Sequence, residues 1–164
     1  MPVIFCYFAE NALLMEPINI RLGQAADLPA IHQLVGELAE YEKARDQFIA
    51  SLEDYQQAFA DQVFETIVAE KTDGKVIGMM LYYLTYSTWK GKMMYLEDFV
   101  VREPYRRHGI GQRLFEAFLD RSQDMGCTMV KWQVLDWNDL AINFYKKYPG
   151  VVFDEEWHNC KITF

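Results

Sequence analysis

The feature that most constrains the fold is the stretch VREPYRRHGIGQRL, Val101–Leu114. It joins an apolar, strand-like run, MMYLEDFVV, to a helical stripe of Leu114, Phe115, Phe118 and Leu119. A strand-to-helix connection ordinarily needs only a turn residue and a cap. Here the backbone is bare at Gly109 and Gly111 and positively charged at Arg106 and Arg107. A helix N-terminus presents unpaired N–H groups and the positive end of the helix dipole, which suits a phosphate. Glycines allow positive φ and close approach, and arginines add bidentate contacts. The stretch lacks the Lys-Ser/Thr of a P-loop and the Gly-x-Gly-x-x-Gly of a dinucleotide fold. Its residues alone leave two readings open: a pyrophosphate cradle, or an ordinary capped turn with solvated arginines.

The rest of the chain bounds what such a turn serves. Its 164 residues suit one domain with a sizeable core. The net charge of −8 and pI near 4.9 argue against nucleic acid and anionic membrane as partners, and favour a cationic small molecule. Cys6, Cys127 and Cys160 show no metal-ligand spacing and read as reduced thiols of a cytoplasmic protein, with no metal expected. No apolar run reaches the length of a bilayer span. The first residues lack a positive n-region and are interrupted by Glu10, against a signal peptide. Residues 1–16 are expected to be an extension of open role, and residues 17–164 one domain.

Periodicity supplies the elements. Ile18–Leu22 alternates as a strand, and Asp27 is placed to cap a helix carrying Leu28, Ile31, Leu34, Val35, Leu38 and Tyr41. A more polar helix follows at about 52–59. FETIVAE, KVIGMMLYYLTY and MMYLEDFVV read as strands, the first two joined by the turn TDGK. After the helix ending near Gly126, TMVKWQVL reads as a strand, NDLAINFYKKY as a helix and VVFDEEWHNCKITF as a closing hairpin. The predicted order is β-α-α-β-β-β-α-β-α-β-β, an α/β domain.

Arg106-x-x-Gly109-x-Gly111 matches the R/Q-x-x-G-x-G/A signature of the GNAT family of acetyl-CoA-dependent N-acetyltransferases. Together with YYLTYSTWKGKMMYLEDFVV before it and VLDWNDLAINFYKKY after it, the chain resembles the diamine and thialysine acetyltransferases of that family. The resemblance runs from about Tyr82 to Tyr148, with an echo in ELAEYE. It implies the GNAT fold, a mixed, mostly antiparallel sheet flanked by helices and splayed around the acetyl-CoA site. It also implies a homodimer and direct attack of a small polyamine or lysine-like amine on the thioester within a ternary complex.

Residue by residue, the resemblance makes Tyr145 the proton donor to the leaving thiolate and Glu97 the group that binds and helps deprotonate the amine. Asp98 joins Glu97 on the same cation, or pairs with a strand neighbour. The backbone of Phe99, Val100 and Val101 would run beside the pantetheine arm and polarise the carbonyl. Arg106, Arg107, His108, Gly109, Ile110, Gly111 and Gln112 would hold the pyrophosphate; Arg107 stands where the family often has glycine. Asn138 matches a CoA contact and is equally an N-cap, with Asp139, Leu140 and Ala141 near the pantetheine. Tyr41 and Glu42 match a pair lining the amine site, as does either Glu155 or Glu156. Two alternatives stay open: a family member acting on a peptide N-terminus, amino acid or aminoglycoside, and a non-catalytic acyl-CoA sensor.

Overall fold

The computed structural model describes residues 16–163; Cys6 and the rest of residues 1–15 lie outside the described residues. In chain order the elements are β1 (Asn19–Leu22), α1 (Leu28–Tyr41), α2 (Leu52–Ala60), β2 (Glu65–Glu70), β3 (Val76–Ser87), β4 (Gly91–Val101), α3 (Ile110–Asp124), β5 (Met129–Trp132) and α4 (Asp139–Tyr145). The chain falls into two compact units, one ending at Trp132 and the other beginning at Gln133.

The first unit is a five-stranded sheet in the order β1-β2-β3-β4-β5. Its first three pairings are antiparallel, and β4 pairs with β5 in parallel. Burial on both faces explains why β2 and the first half of β3 are almost continuously apolar. One face of β3 carries Met79 and Leu81 into a cluster with Leu28, Ile31, Leu34 and Val35 of α1. The other carries Tyr82 against Phe118 of α3, and β4 adds Phe99, stacked on Phe115. Full burial of each such side chain is worth about 1.5–3 kcal/mol. Gly78 is required by space: a Cβ there would stand 3.0 Å from the Val100 carbonyl oxygen and 3.3 Å from Leu114.

α2 starts as its sequence suggests, Ser51 and Asp54 forming a reciprocal capping box. Asp27 does not behave as expected. It precedes α1, but its carboxylate accepts from both terminal nitrogens of Arg21, at 2.7 and 2.9 Å, and from the Gln24 N–H. Arg21 also donates to Glu70 across the β1–β2 pair. A charged guanidinium outcompetes the helix N–H groups for this carboxylate, because charge-assisted bonds are roughly twice as strong. The Arg21 hydrogen bonds hold the Asp27 carboxyl below its usual range.

The second unit carries α4, capped by Asn138, whose Oδ1 accepts from the Ala141 N–H. The expected closing hairpin is absent: residues 151–163 hold no strand. Val152, Trp157 and Ile162 are exposed, and Asp154 instead accepts from the Glu156 N–H in a local turn. Apolar content alone does not make a strand, because a ladder partner must supply the backbone hydrogen bonds.

The basic turn enters α3 through two left-handed residues, Arg107 at φ 64° and Gly109 at φ 76°. A Cβ on Gly109 would meet nothing within 4 Å, so conformation and not crowding selects glycine there. Arg107 carries a side chain through the same region, where an L-residue is disfavoured by about 1–2 kcal/mol. We therefore expect Arg107→Gly to raise stability by up to about 1 kcal/mol, the remainder being offset by the looser unfolded chain. Arg107→Val should lower it by at least as much, both read from denaturant midpoints.

Candidate active site

The β3–β4 ladder slips by one residue in its middle: Leu81 faces Asp98 and Tyr82 faces Leu96. Glu97 is thus the extra residue of a β-bulge, a device that unpairs one residue and re-aims its neighbours. An unbroken ladder would bring the adjacent carboxylates out on opposite faces. At the bulge the exposed Glu97 instead reaches Tyr83, whose hydroxyl donates to Glu97 Oε2 at 3.1 Å. Tyr83 faces Tyr95 across the ladder, their rings stacked at 5.3 Å.

Asp98 lies opposite Leu81, on the face that α1 and α2 cover. Burial, then the charges of Glu97 and Glu42, push its carboxyl up to about 7. Glu42, at the end of α1, is raised by burial too. Tyr55 of α2 is edge-on to Phe48 and Phe64, and its phenol is pushed up by burial and then by the charges of Asp98 and Glu97. One face of the sheet thus gathers three carboxyls among tyrosines, with no cation paired to Glu97 or Asp98 in a salt bridge among the described residues. Such a site suits an ammonium group, which aromatic faces and carboxylates both attract.

Just beyond the end of β4 the charge reverses. Pairing with β5 stops at Leu96↔Trp132, so Phe99, Val100 and Val101 continue β4 with no β5 partner. Arg102 makes a bidentate contact with Glu37 of α1, at 3.1 and 2.9 Å. The Arg106 Nε donates to the Val101 carbonyl at 2.7 Å, and its guanidinium lies 5.5 Å from the centre of the Tyr41 ring. Arg106 therefore braces the turn against α1, while Arg107 and His108 are exposed. Gly109 caps α3 with no side-chain hydrogen bond, which leaves the first-turn N–H groups of Ile110, Gly111 and Gln112 outside the helix ladder. Gln112 donates its side chain to Glu116.

In the second unit Tyr145 is buried beside Phe144, and burial pushes its phenol up. Asn138 caps α4 ahead of Asp139, Leu140 and Ala141; Glu155 and Glu156 are exposed. The side chains of Gln133 and Asn159 are hydrogen-bonded in the same unit. Cys127 and Cys160 are free thiols, and no three His, Cys, Asp or Glu side chains gather as a metal cluster among the described residues.

Sequence reasoning passed over Tyr55, Tyr83, Tyr95 and the Glu37–Arg102 pair. The signal for Tyr83 was available in the period of β3, which puts it on the same face as Met79 and Leu81. For Tyr55 no local signal existed, because α2 approaches β4 only through the tertiary fold.

The acetyltransferase (GNAT) family model matches residues 28–150. A thialysine N-epsilon-acetyltransferase from Bos taurus is 38% identical over 155 residues, covering 88% of this chain and 91% of the relative. A spermidine/spermine N(1)-acetyltransferase-like protein 1 from Homo sapiens is 32% identical over 154 residues, covering 88% of this chain but 22% of that longer protein. Among solved structures, an aminoglycoside acetyltransferase from an uncultured soil metagenomic sample superposes with a TM-score of 0.76 at 22% identity, over 90% of this chain and 97% of its own, a likeness of fold. A five-stranded mixed sheet flanked by helices and a match across more than half of the chain agree: the protein belongs to the GNAT family and is an N-acetyltransferase.

Proposed function

We propose that the protein transfers the acetyl group of acetyl-CoA to the primary amine of a small polyamine or lysine-like amine, by direct attack in a ternary complex. The observation that carries this reading is strand β4 itself. Its bulge presents Glu97 and Asp98 among tyrosines, and the basic turn after it opens α3 at Gly109 with no side-chain cap bond. A cation is thereby drawn to the strand and a polyphosphate to the turn that follows it. The names of the thialysine and spermidine/spermine relatives support the choice of amine.

In this reading the first turn of α3 and Arg107 hold the pyrophosphate, with Arg106 bracing the turn, and the β4 backbone at Phe99–Val101 lies beside the pantetheine. Glu97 and Asp98 bind the ammonium, with Tyr41 and Glu42 further along the amine. One proton must leave the ammonium before its nitrogen carries a lone pair, and the carboxylates accept it directly or through water. The nitrogen then bonds to the acetyl carbonyl carbon, the C–S bond breaks, and the sulfur takes a proton from the Tyr145 phenol; the nitrogen gives up its second proton to water as the amide forms, and the phenolate regains one from water. Burial keeps that phenol protonated until the thiolate forms. Residues 17–164 act as one catalytic domain in the cytoplasm. A homodimer fits the apolar tip of the β3–β4 hairpin, where Tyr86 is 70% and Trp89 84% exposed in the single chain.

The test is thiol release from acetyl-CoA across spermidine, putrescine, thialysine, lysine and a short peptide. Selective turnover of a diamine or of thialysine is expected. Turnover of the peptide alone, or CoA binding without release on any of these amines, would overturn the reading.

Asp98 adds a pH dependence. Its carboxyl titrates near 7 in the folded protein and near 4 in an unfolded chain. Between those values the folded state holds a proton that the unfolded state has lost. This contribution to stability therefore declines as pH rises and is gone above about 7. Asp98→Asn should remove that slope from denaturation curves measured between about pH 4 and 8, and be the more stable form at pH 8. It should also raise the KM for the amine by roughly tenfold at pH 8, the size expected for losing one charge-assisted contact.

A further inference from the structure

We infer that Tyr83 is a positioning residue for this transfer, its hydroxyl and its stack on Tyr95 together holding the Glu97 carboxylate in the place where the amine must meet it. The inference rests on the role proposed for Glu97 above and goes beyond it, because the residue that determines the orientation of Glu97 lies on a different strand, fourteen positions away.

The need for such a residue follows from the bulge. A bulge residue has no partner opposite it in the ladder, so neither strand pairing nor cross-strand packing orients Glu97. Glu97 is also exposed, and no salt bridge involves it among the described residues. A glutamate in that situation samples several rotamers, and reaction rates depend steeply on orientation. Its carboxylate accepts a hydrogen bond from the Tyr83 hydroxyl, at 3.1 Å to Oε2. That bond occupies one oxygen and leaves the other to accept from an ammonium.

The donor is itself held. Tyr83 faces Tyr95 in the β3–β4 register, with ring centroids 5.3 Å apart and planes 24° from parallel. A stacked ring has little freedom to swing, so the hydroxyl stays over the bulge. Burial, the Glu97 charge, the hydrogen bond to Glu97 and the neighbouring Tyr95 push the Tyr83 phenol up to about 12, so it remains a donor throughout the neutral range.

A double-mutant cycle on the full chain tests this with steady-state kinetics on whichever amine the panel identifies. Tyr83→Phe keeps the ring and its stack and removes only the donor. It should lower kcat by about tenfold, with the KM for acetyl-CoA and the melting temperature unchanged. Glu97→Gln should lower kcat further, and adding Tyr83→Phe to it should cost nothing more, because the carboxylate that the hydroxyl orients is gone. Tyr95→Leu, which leaves the hydroxyl but frees the ring, should give a smaller loss that likewise vanishes in the Glu97→Gln background. A Tyr83→Phe enzyme as fast as wild type beside a slow Glu97→Gln enzyme would overturn the inference alone. So would a Tyr83→Phe loss that multiplies undiminished onto Glu97→Gln, which is the behaviour of a general structural defect. Full activity in Glu97→Gln would overturn both the inference and the role proposed for Glu97.

Discussion

The one-residue slip between β3 and β4 is the constraint on which the rest of the site depends. Up to Leu96 the ladder is regular and β4 is shared between β3 and β5; beyond Glu97 its pairing continues with β3 alone. The slip puts Asp98 opposite Leu81 on the α1–α2 face while Phe99 turns to α3 and stacks on Phe115. Without it, every residue from Asp98 onward would change faces, placing Asp98 opposite Met80 on the α3 face and Phe99 opposite Met79, where Val100 now stands. The acidic patch and the packing of α3 are therefore two outcomes of one irregularity.

Electrostatics then separates the two ends of the strand. The Asp98 carboxyl is kept from ionising easily by its burial and by Glu97 and Glu42, an arrangement that a cation placed beside it would relieve. At the other end Arg102 and Arg106 are committed to Glu37, to the Val101 carbonyl and to the Tyr41 ring. Their work is to fix the turn, so that Arg107, His108 and the start of α3 are presented at a set distance from the bulge. The overall charge of −8 agrees with the amine substrate proposed above, and in that proposal the local sign of each end sorts the two partners.

Much of this was legible in the residues. The strand runs of β1–β4, the more polar helix α2 and the apolar stripe of α3 follow from period and composition, and RRHGIG marked the start of a helix while leaving open whether an anion sits on it. What escaped was what tertiary contact decides. Asp27 looked like a cap until Arg21 took its carboxylate, and residues 151–163 looked like a hairpin although no strand supplies their ladder. The bulge itself has no local mark, since YLEDFVV reads as an uninterrupted strand; only the register against β3 shows that Glu97 is one residue too many. Arg107 lies between these cases, its oddity visible as an arginine where the family often has glycine and its reason visible only as a left-handed φ.

In the proposed reaction amine and acetyl-CoA are bound at the same time, so the acetyl group passes between them with no enzyme-bound stop. Initial rates with both substrates varied test it most directly. Double-reciprocal plots should give intersecting lines, the pattern of a ternary complex. Parallel lines, with a burst of CoA release before any amine is added, would mean an acetylated enzyme on a nucleophile such as Cys127 and would contradict the account.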